Sequence, residues 1–192
     1  MYPLTIYLRS SNVKLAPMDR PFPLGSAPPR TQGCHVYDII KSIMIDLGEK
    51  QYKESPQGRI IMETGFLWER ALESAWGEHL GRRPGEVIVD GVIGSPDGIK
   101  IATDKNIVEE YKCTWKSANR MPDENLNWLI QTKAYCFMLE CTTCHLHVLH
   151  LNGDYKPPRP MYKLWELEYS PQELIDNWSM MINHARSKGL LT

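Results

Sequence analysis

What the chain lacks narrows it first. No apolar run approaches the roughly 20 residues needed to span a bilayer. The opening residues, MYPLTIYLRSSNVK, lack the apolar core and cleavage site of a signal peptide. The expectation is a cytoplasmic protein with no membrane association. Charge of neither sign is in excess: 22 Lys and Arg stand against 23 Asp and Glu, a net charge of -1. Nothing global attracts a polyanion, so any such site has to be built locally. Cysteines number only five, an odd count that argues against a disulfide framework. There is no internal repeat and no low-complexity tract. What remains is 192 residues, 42% hydrophobic and 23% charged, the profile of an ordinary globular chain. The length suits one domain spanning 1–192.

Prolines crowd residues 1–33 (Pro3, Pro17, Pro21, Pro23, Pro28, Pro29) and predict an extended N-terminal arm, with a short strand over 4–8. The spacing of Val36, Ile39, Ile40, Ile43, Met44 and Leu47 predicts a helix over 35–48, then a polar loop over 49–58. A second helix is predicted over 60–80, closed by Gly81 as its C-cap. Its apolar stripe is Phe66, Leu67, Ala71, Leu72, Ala75 and Trp76, with Glu69 and Glu73 at the margin. Residues 86–92 and 107–115 read as β-branched strands, with a turn at the TDKN segment before the second. A third helix covers 123–140. Strands over 144–151 and 161–169 form an antiparallel pair about the Asn152-Gly153-Asp154 turn. A last helix covers 171–188, opened by the capping box Ser170-Pro171-Gln172-Glu173. The fold class is therefore α/β (α+β), a central mixed β-sheet flanked by helices.

The chemistry concentrates between Gly94 and Lys112, GSPDGIKIATDKNIVEEYK. Strand side chains alternate in direction, so Glu110 and Lys112 share one face and Glu109 and Tyr111 the other. Glu69 from a helix, Asp97 from a turn and Glu110 from a strand are hard oxygen donors that select Mg²⁺, Mn²⁺ or Ca²⁺, and Mg²⁺ (or Mn²⁺) is the expected ion. The expected ligands are Asp97, Glu110 and the backbone carbonyl of Tyr111, with Glu69 direct or through water. Such an ion polarises a phosphoryl oxygen and lowers the pKa of a bound water, while Lys112 orients that water or stabilises charge. Asp90, in VDGVIG, is the alternative to Asp97. Glu109 replaces Glu110 only if a bulge breaks the strand's alternation.

These residues carry a resemblance. Pro96-Asp97, twelve residues, then Glu110-Tyr111-Lys112 resembles the PD-(D/E)xK motif of metal-dependent nucleases. The helix segment TGFLWERALE is similar to that superfamily's first acidic motif, at Glu69. SPDG followed by EYKC is similar to the matching strands of lambda-type phage exonucleases. Gln131-Thr132-Lys133-Ala134-Tyr135 matches the QxxxY motif of the RecB-like and lambda-exonuclease-like branch. The motifs stand in the family's order across about residues 62–140. The resemblance implies a restriction-endonuclease-like core. It implies an exonuclease of viral DNA recombination or processing that leaves 5′-phosphate and 3′-hydroxyl ends. It places Gln131 and Tyr135 among the catalytic residues, contacting DNA phosphate or supporting the metal shell. Ring-shaped homotrimers and a single-strand annealing partner belong to the same implication. The competing expectations are a restriction- or repair-type endonuclease on the same core, and a non-catalytic DNA-binding module.

With DNA as the implied partner, Lys116, Arg120 and Lys133 are candidate phosphate contacts, and Trp115 and Trp128 candidate stacking surfaces. Arg82 and Arg83 are a further candidate phosphate contact. Cys141-x-x-Cys144-His145-x-His147, with Cys34 and Cys136, resembles part of a metal site and the iron–sulfur cysteines of CRISPR-associated nucleases. Those proteins carry a cysteine cluster near the C-terminus, and no cysteine follows Cys144 here, so no iron–sulfur cluster is expected.

Overall fold

The computed structural model describes residues 31–49, 56–77, 79–101, 105–156 and 159–191. The arm predicted over 1–33 lies outside them except for its last three residues, as do the first two residues of the TDKN turn. Chain order is β1 (Cys34–His35), α1 (Val36–Asp46), α2 (Pro56–Trp76), β2 (Val87–Val89), β3 (Val92–Gly94), β4 (Gly98–Ile101), β5 (Asn106–Thr114), a 3-10 turn (Pro122–Glu124), α3 (Leu126–Met138), β6 (Thr143–His150), β7 (Met161–Glu168) and α4 (Pro171–Ser187). The expected mixed α/β architecture is present, divided between two sheets. One has the order β1-β3-β2 and the other β4-β5-β6-β7. Both are mixed: β1 runs parallel to β3, and β5 parallel to β6, while the remaining pairs are antiparallel. Parallel neighbours need a long crossover, and α3 supplies it between β5 and β6.

The helices α1, α3 and α4 share one apolar layer. Ile39, Met138 and Met181 are fully buried there, and Phe137 stacks on Trp178 at 4.9 Å. Val108 and Cys144 join this core from the sheet, so α3 covers the face of β5 and β6 that carries even-numbered residues. The opposite face meets α2 through Trp68 and Trp76, whose rings lie 5.7 and 5.2 Å from that of Tyr162 on β7. From Ile107 to Tyr111, β5 is buried at every position. A strand covered on both sides reads as a continuous apolar run; here two of the five positions are carboxylates instead.

Three expectations need correction. The strand predicted over 86–92 is the hairpin β2–β3. Asp90 and Gly91 both take positive φ, 49° and 78°, the backbone of a two-residue hairpin turn. The second helix ends at Trp76, and Gly81 is not its cap. A Cβ at Gly81 would stand 2.4 Å from the Ile99 backbone, so glycine there permits the close approach of the α2–β2 connection to β4, where Arg82 bridges Ile99. Of the predicted α2 stripe, Leu72 is buried, while Leu67, Ala71, Ala75 and Trp76 are exposed. By contrast, α4 forms with its capping box, the Ser170 hydroxyl accepting from the Glu173 N–H and the Glu173 carboxylate from the Ser170 N–H.

Candidate active site

The structure gathers Glu69, Asp97, Glu110 and Lys112 where α2, the β3–β4 connection and β5 meet. Asp97 is anchored by the Tyr111 N–H, which donates to its Oδ2 at 2.8 Å. That bond ties the turn to the strand one residue past Glu110. Glu110 is buried at 2% exposure. Its Oε1 accepts from Lys112 Nζ at 2.5 Å, and its Oε2 has no hydrogen-bond partner among the described residues. Lys112 also donates to Gln131 Oε1 at 2.7 Å, and Gln131 Nε2 donates to the Tyr135 hydroxyl at 3.1 Å. An ammonium group only donates, so the Gln131 amide must turn its oxygen to Lys112 and its nitrogen to Tyr135. Gln131 and Tyr135 are one turn apart on α3, which lets one side chain relay to the other. The Tyr135 hydroxyl reaches the Ser95 backbone as well. A chain of polar contacts therefore runs from β5 through α3 to the loop carrying Asp97.

Arg83 stands among the remaining carboxylates. Its guanidinium reaches Glu69 at 2.6 Å, Glu73 at 3.2 Å and Asp97 at 3.6 Å. The sequence reading makes Arg83 a phosphate contact. The structure instead makes it a counter-ion of the acidic site, and no sequence spacing announces this, because a connecting loop delivers it. Arg83 and Lys112 thus stand against Glu69, Glu73, Asp97 and Glu110, whose carboxylates crowd together here.

The pKa shifts follow from burial and from the crowding of these charges. Burial, then the charges of Glu110 and Glu69, push Asp97 well above the usual carboxylate range, with Arg83 and Lys112 opposing. Burial also raises Glu110, against the charge and hydrogen bond of Lys112. For Lys112 burial works downward, but the charges of Glu110 and Asp97 outweigh it, and its pKa rises. Lys112 is therefore an ammonium ion in this arrangement. Burial likewise raises Tyr135, which stays a protonated phenol.

Both alternatives fall away from this centre. Asp90 accepts from the Trp178 indole N–H at 2.8 Å, tying the β2–β3 turn to α4. Glu109 points to the other face of β5, where its Oε2 accepts from the Tyr111 hydroxyl at 2.9 Å.

The expected DNA contacts divide. Trp115, Lys116 and Arg120 are exposed in the connection leaving β5. Lys116 donates to Asn125 and lies 5.9 Å from the Trp128 ring. Lys133 lies apart from them. Two residues on from Gln131, it leaves the opposite side of α3 and reaches Glu173 at 3.3 Å and the Tyr169 ring at 5.2 Å. Cys136, Cys141 and Cys144 are buried together, the Cys136 thiol hydrogen-bonded to both others.

No helix among the described residues is long and apolar enough to cross a membrane. No protein-family model matches the sequence, and no curated protein matches it. Solved structures similar to the chain include exonucleases. A phage-related exonuclease from Haemophilus somnus is 14% identical over 79% of each chain, with a TM-score of 0.48. The alkaline exonuclease LHK-Exo of Laribacter hongkongensis is 13% identical, over 81% of this chain and 89% of its own, with a TM-score of 0.46. LHK-Exo has also been solved in complex with dAMP, and that structure is 12% identical with a TM-score of 0.47.

Proposed function

We propose that the chain is a divalent-metal-dependent deoxyribonuclease, an exonuclease of viral DNA recombination or processing that leaves 5′-phosphate and 3′-hydroxyl ends. The observation that carries this reading is the buried Oε2 of Glu110, which has no hydrogen-bond partner among the described residues and lies beside Lys112, where Asp97 and Glu69 add negative charge. An orphaned buried carboxylate oxygen is costly, and a hard divalent cation fits both the oxygen and the mutual repulsion of the carboxylates. Asp97, Glu110 and the Tyr111 carbonyl would hold it, with Glu69 direct or through water. When bound, Mg²⁺ or Mn²⁺ supplies Lewis-acid polarisation of the phosphoryl group and a more acidic water.

The chain's own residues do the rest. Lys112 is held by Glu110 and Gln131, so its ammonium is fixed in place before substrate arrives. A preorganised positive donor stabilises the negative charge that grows on the phosphoryl oxygens in the transition state. Its raised pKa makes it a charge donor and water-orienting group in preference to a proton acceptor. Gln131 and Tyr135 hold Lys112 in line and are neutral donors for a phosphate oxygen. Arg83 neutralises Glu69 and Asp97 in this structure and would release them as the cation enters.

The test is cleavage of end-labelled linear and closed circular DNA, with and without Mg²⁺. The expected result is metal-dependent loss of the linear substrate, an intact circle, and no cleavage by Lys112→Ala. Undiminished activity in purified Lys112→Ala protein would sink the assignment. Cleavage of the circle would select an endonuclease, and binding that never proceeds to cleavage a DNA-binding module.

A further inference from the structure

We propose that Glu109, His145 and His147 form a second metal site for a transition ion of the Zn²⁺ type. It lies on the face of the β4–β7 sheet opposite the acidic centre. The register of the parallel strands builds it. Glu109 is paired with His145, and Tyr111 with His147, so all four side chains share the odd-numbered face of β5 and β6. One ligand atom from each of Glu109, His145 and His147 lies within 4.8 Å of the others. Glu109 Oε1 stands 4.0 Å from His145 Nδ1 and 3.9 Å from His147 Nε2. Tetrahedral ligands at bonds of about 2.0–2.1 Å stand about 3.3 Å apart, so small side-chain rotations close the site.

The second polar atom of every ligand is already held. His145 Nε2 bonds Glu166 Oε2 at 3.0 Å, leaving Nδ1 for the centre. His147 Nδ1 bonds the Tyr162 hydroxyl at 2.9 Å, leaving Nε2. Glu109 Oε2 accepts from the Tyr111 hydroxyl and from the Gly81 N–H at 2.5 Å, leaving Oε1. Metal-ligating histidines characteristically give their other ring nitrogen to a carboxylate or similar acceptor, which fixes the tautomer and the ring's direction. The independent sign of a missing ligand is His147 Nε2. His147 is 2% exposed, and this nitrogen is buried with no hydrogen-bond partner among the described residues.

Donor chemistry separates this site from the acidic centre. Two imidazoles and one carboxylate suit Zn²⁺, whereas an all-oxygen set suits Mg²⁺ or Mn²⁺. Trp76, 6.5 Å from the His147 ring, and Tyr162 roof the site from α2 and β7. Half-buried His145 leaves the approach. An ion here would join β5 to β6 directly and, through the bonds of its ligands, the α2–β2 connection and β7, which is a structural role.

The experiment is titration of metal-stripped, reduced protein with Zn²⁺ against a chromogenic chelator, in excess Mg²⁺ to keep the acidic centre out of the count. A parallel Co²⁺ titration follows the absorption spectrum. The expected result is one Zn²⁺ per chain and a cobalt spectrum free of a thiolate charge-transfer band, which separates the site from Cys136, Cys141 and Cys144. Affinity falls at least tenfold in His145→Ala and in Glu109→Gln, and Glu110→Ala binds as the wild type does. Absence of stoichiometric Zn²⁺ would overturn the proposal. So would unchanged affinity in His145→Ala, whose half-buried position makes it the deciding variant once circular dichroism shows it folded.

Discussion

Glu109 and Glu110 are neighbours on one strand, exposed at 1% and 2%, and they sit in opposite worlds. Glu109 is served by neutral donors, the Tyr111 hydroxyl and the Gly81 N–H, with imidazoles nearby. Glu110 is served by an ammonium group on one oxygen and by nothing on the other, with Asp97 and Glu69 adding negative charge. The strand's two-residue alternation separates them by a single position. A buried carboxylate therefore does not identify an acidic metal centre. The character of the groups that compensate it does: charged and incomplete on one face, neutral and nearly complete on the other.

The sharpest way to break this comparison is to remove the charged face. Lys112→Ala and Glu110→Ala should each lower DNA cleavage on the order of 10³-fold, the scale of losing a preorganised donor or an acid–base group. Single-turnover cleavage in saturating Mg²⁺ measures it. A loss under tenfold in both would mean that the paired Glu110 and Lys112 do no chemistry.

One step further from the centre, Gln131→Met should cost about 10–100-fold, the usual scale for a group that positions another. Gln131 holds Lys112 without adding charge, so the loss should fall on kcat more than on KM. Tyr135→Phe removes only the next link and should cost less than Gln131→Met. A larger loss from Tyr135→Phe would place the phenol on the substrate itself.

The neutral face should break differently. Glu109→Gln can keep both hydrogen bonds on its amide oxygen, but it buries an NH2 group in place of Oε1, where His147 Nε2 at 3.9 Å is beyond hydrogen-bond distance. The expected cost is about 1–3 kcal/mol of unfolding free energy, read by urea denaturation. Cleavage per folded molecule should fall far less than in Glu110→Gln. Equal loss of cleavage in the two variants would erase the distinction between the faces.

Much of this arrangement is legible in the order of residues alone. Alternation puts Glu110 with Lys112 and Glu109 with Tyr111, and β5 keeps that alternation without a bulge. The i, i+4 spacing puts Gln131 and Tyr135 on one side of a helix. Ser170-Pro171-Gln172-Glu173 announces α4 because a capping box is a local event. The β2–β3 hairpin is also written locally, in Asp90-Gly91, but the β-branched residues on both sides read as one strand through it. What local pattern does not carry is which surface comes to meet a side chain. Arg83 reaches Glu69 and Asp97 from a loop, and Lys112 reaches Gln131 across a crossover; neither has a spacing to read. The stripe of α2 fails for the same reason. Periodicity marks an apolar side, yet Leu67 is 50% exposed where Leu72 is 3%. His145 and His147 likewise gain meaning only when parallel pairing brings Glu109 beside them.

The smallest effect tests the crowding of carboxylates alone, without any cleavage. A ligand that binds only the folded state adds RT ln(1 + [L]/Kd), about 1.4 kcal/mol at tenfold above Kd. For a chain of this length that is a rise of about 3–6 °C in Tm. Mg²⁺ should produce it in the wild type by relieving the crowding of Asp97, Glu110 and Glu69. Glu110→Gln removes one negative charge and the unpartnered oxygen together, so the Mg²⁺ response should vanish while the folded baseline survives. His145→Ala, on the other face, should keep the full Mg²⁺ response, because imidazole is a poor partner for so hard an ion. A Mg²⁺ shift that persists in Glu110→Gln, or that disappears in His145→Ala, would show that the two faces share one ion instead of dividing two.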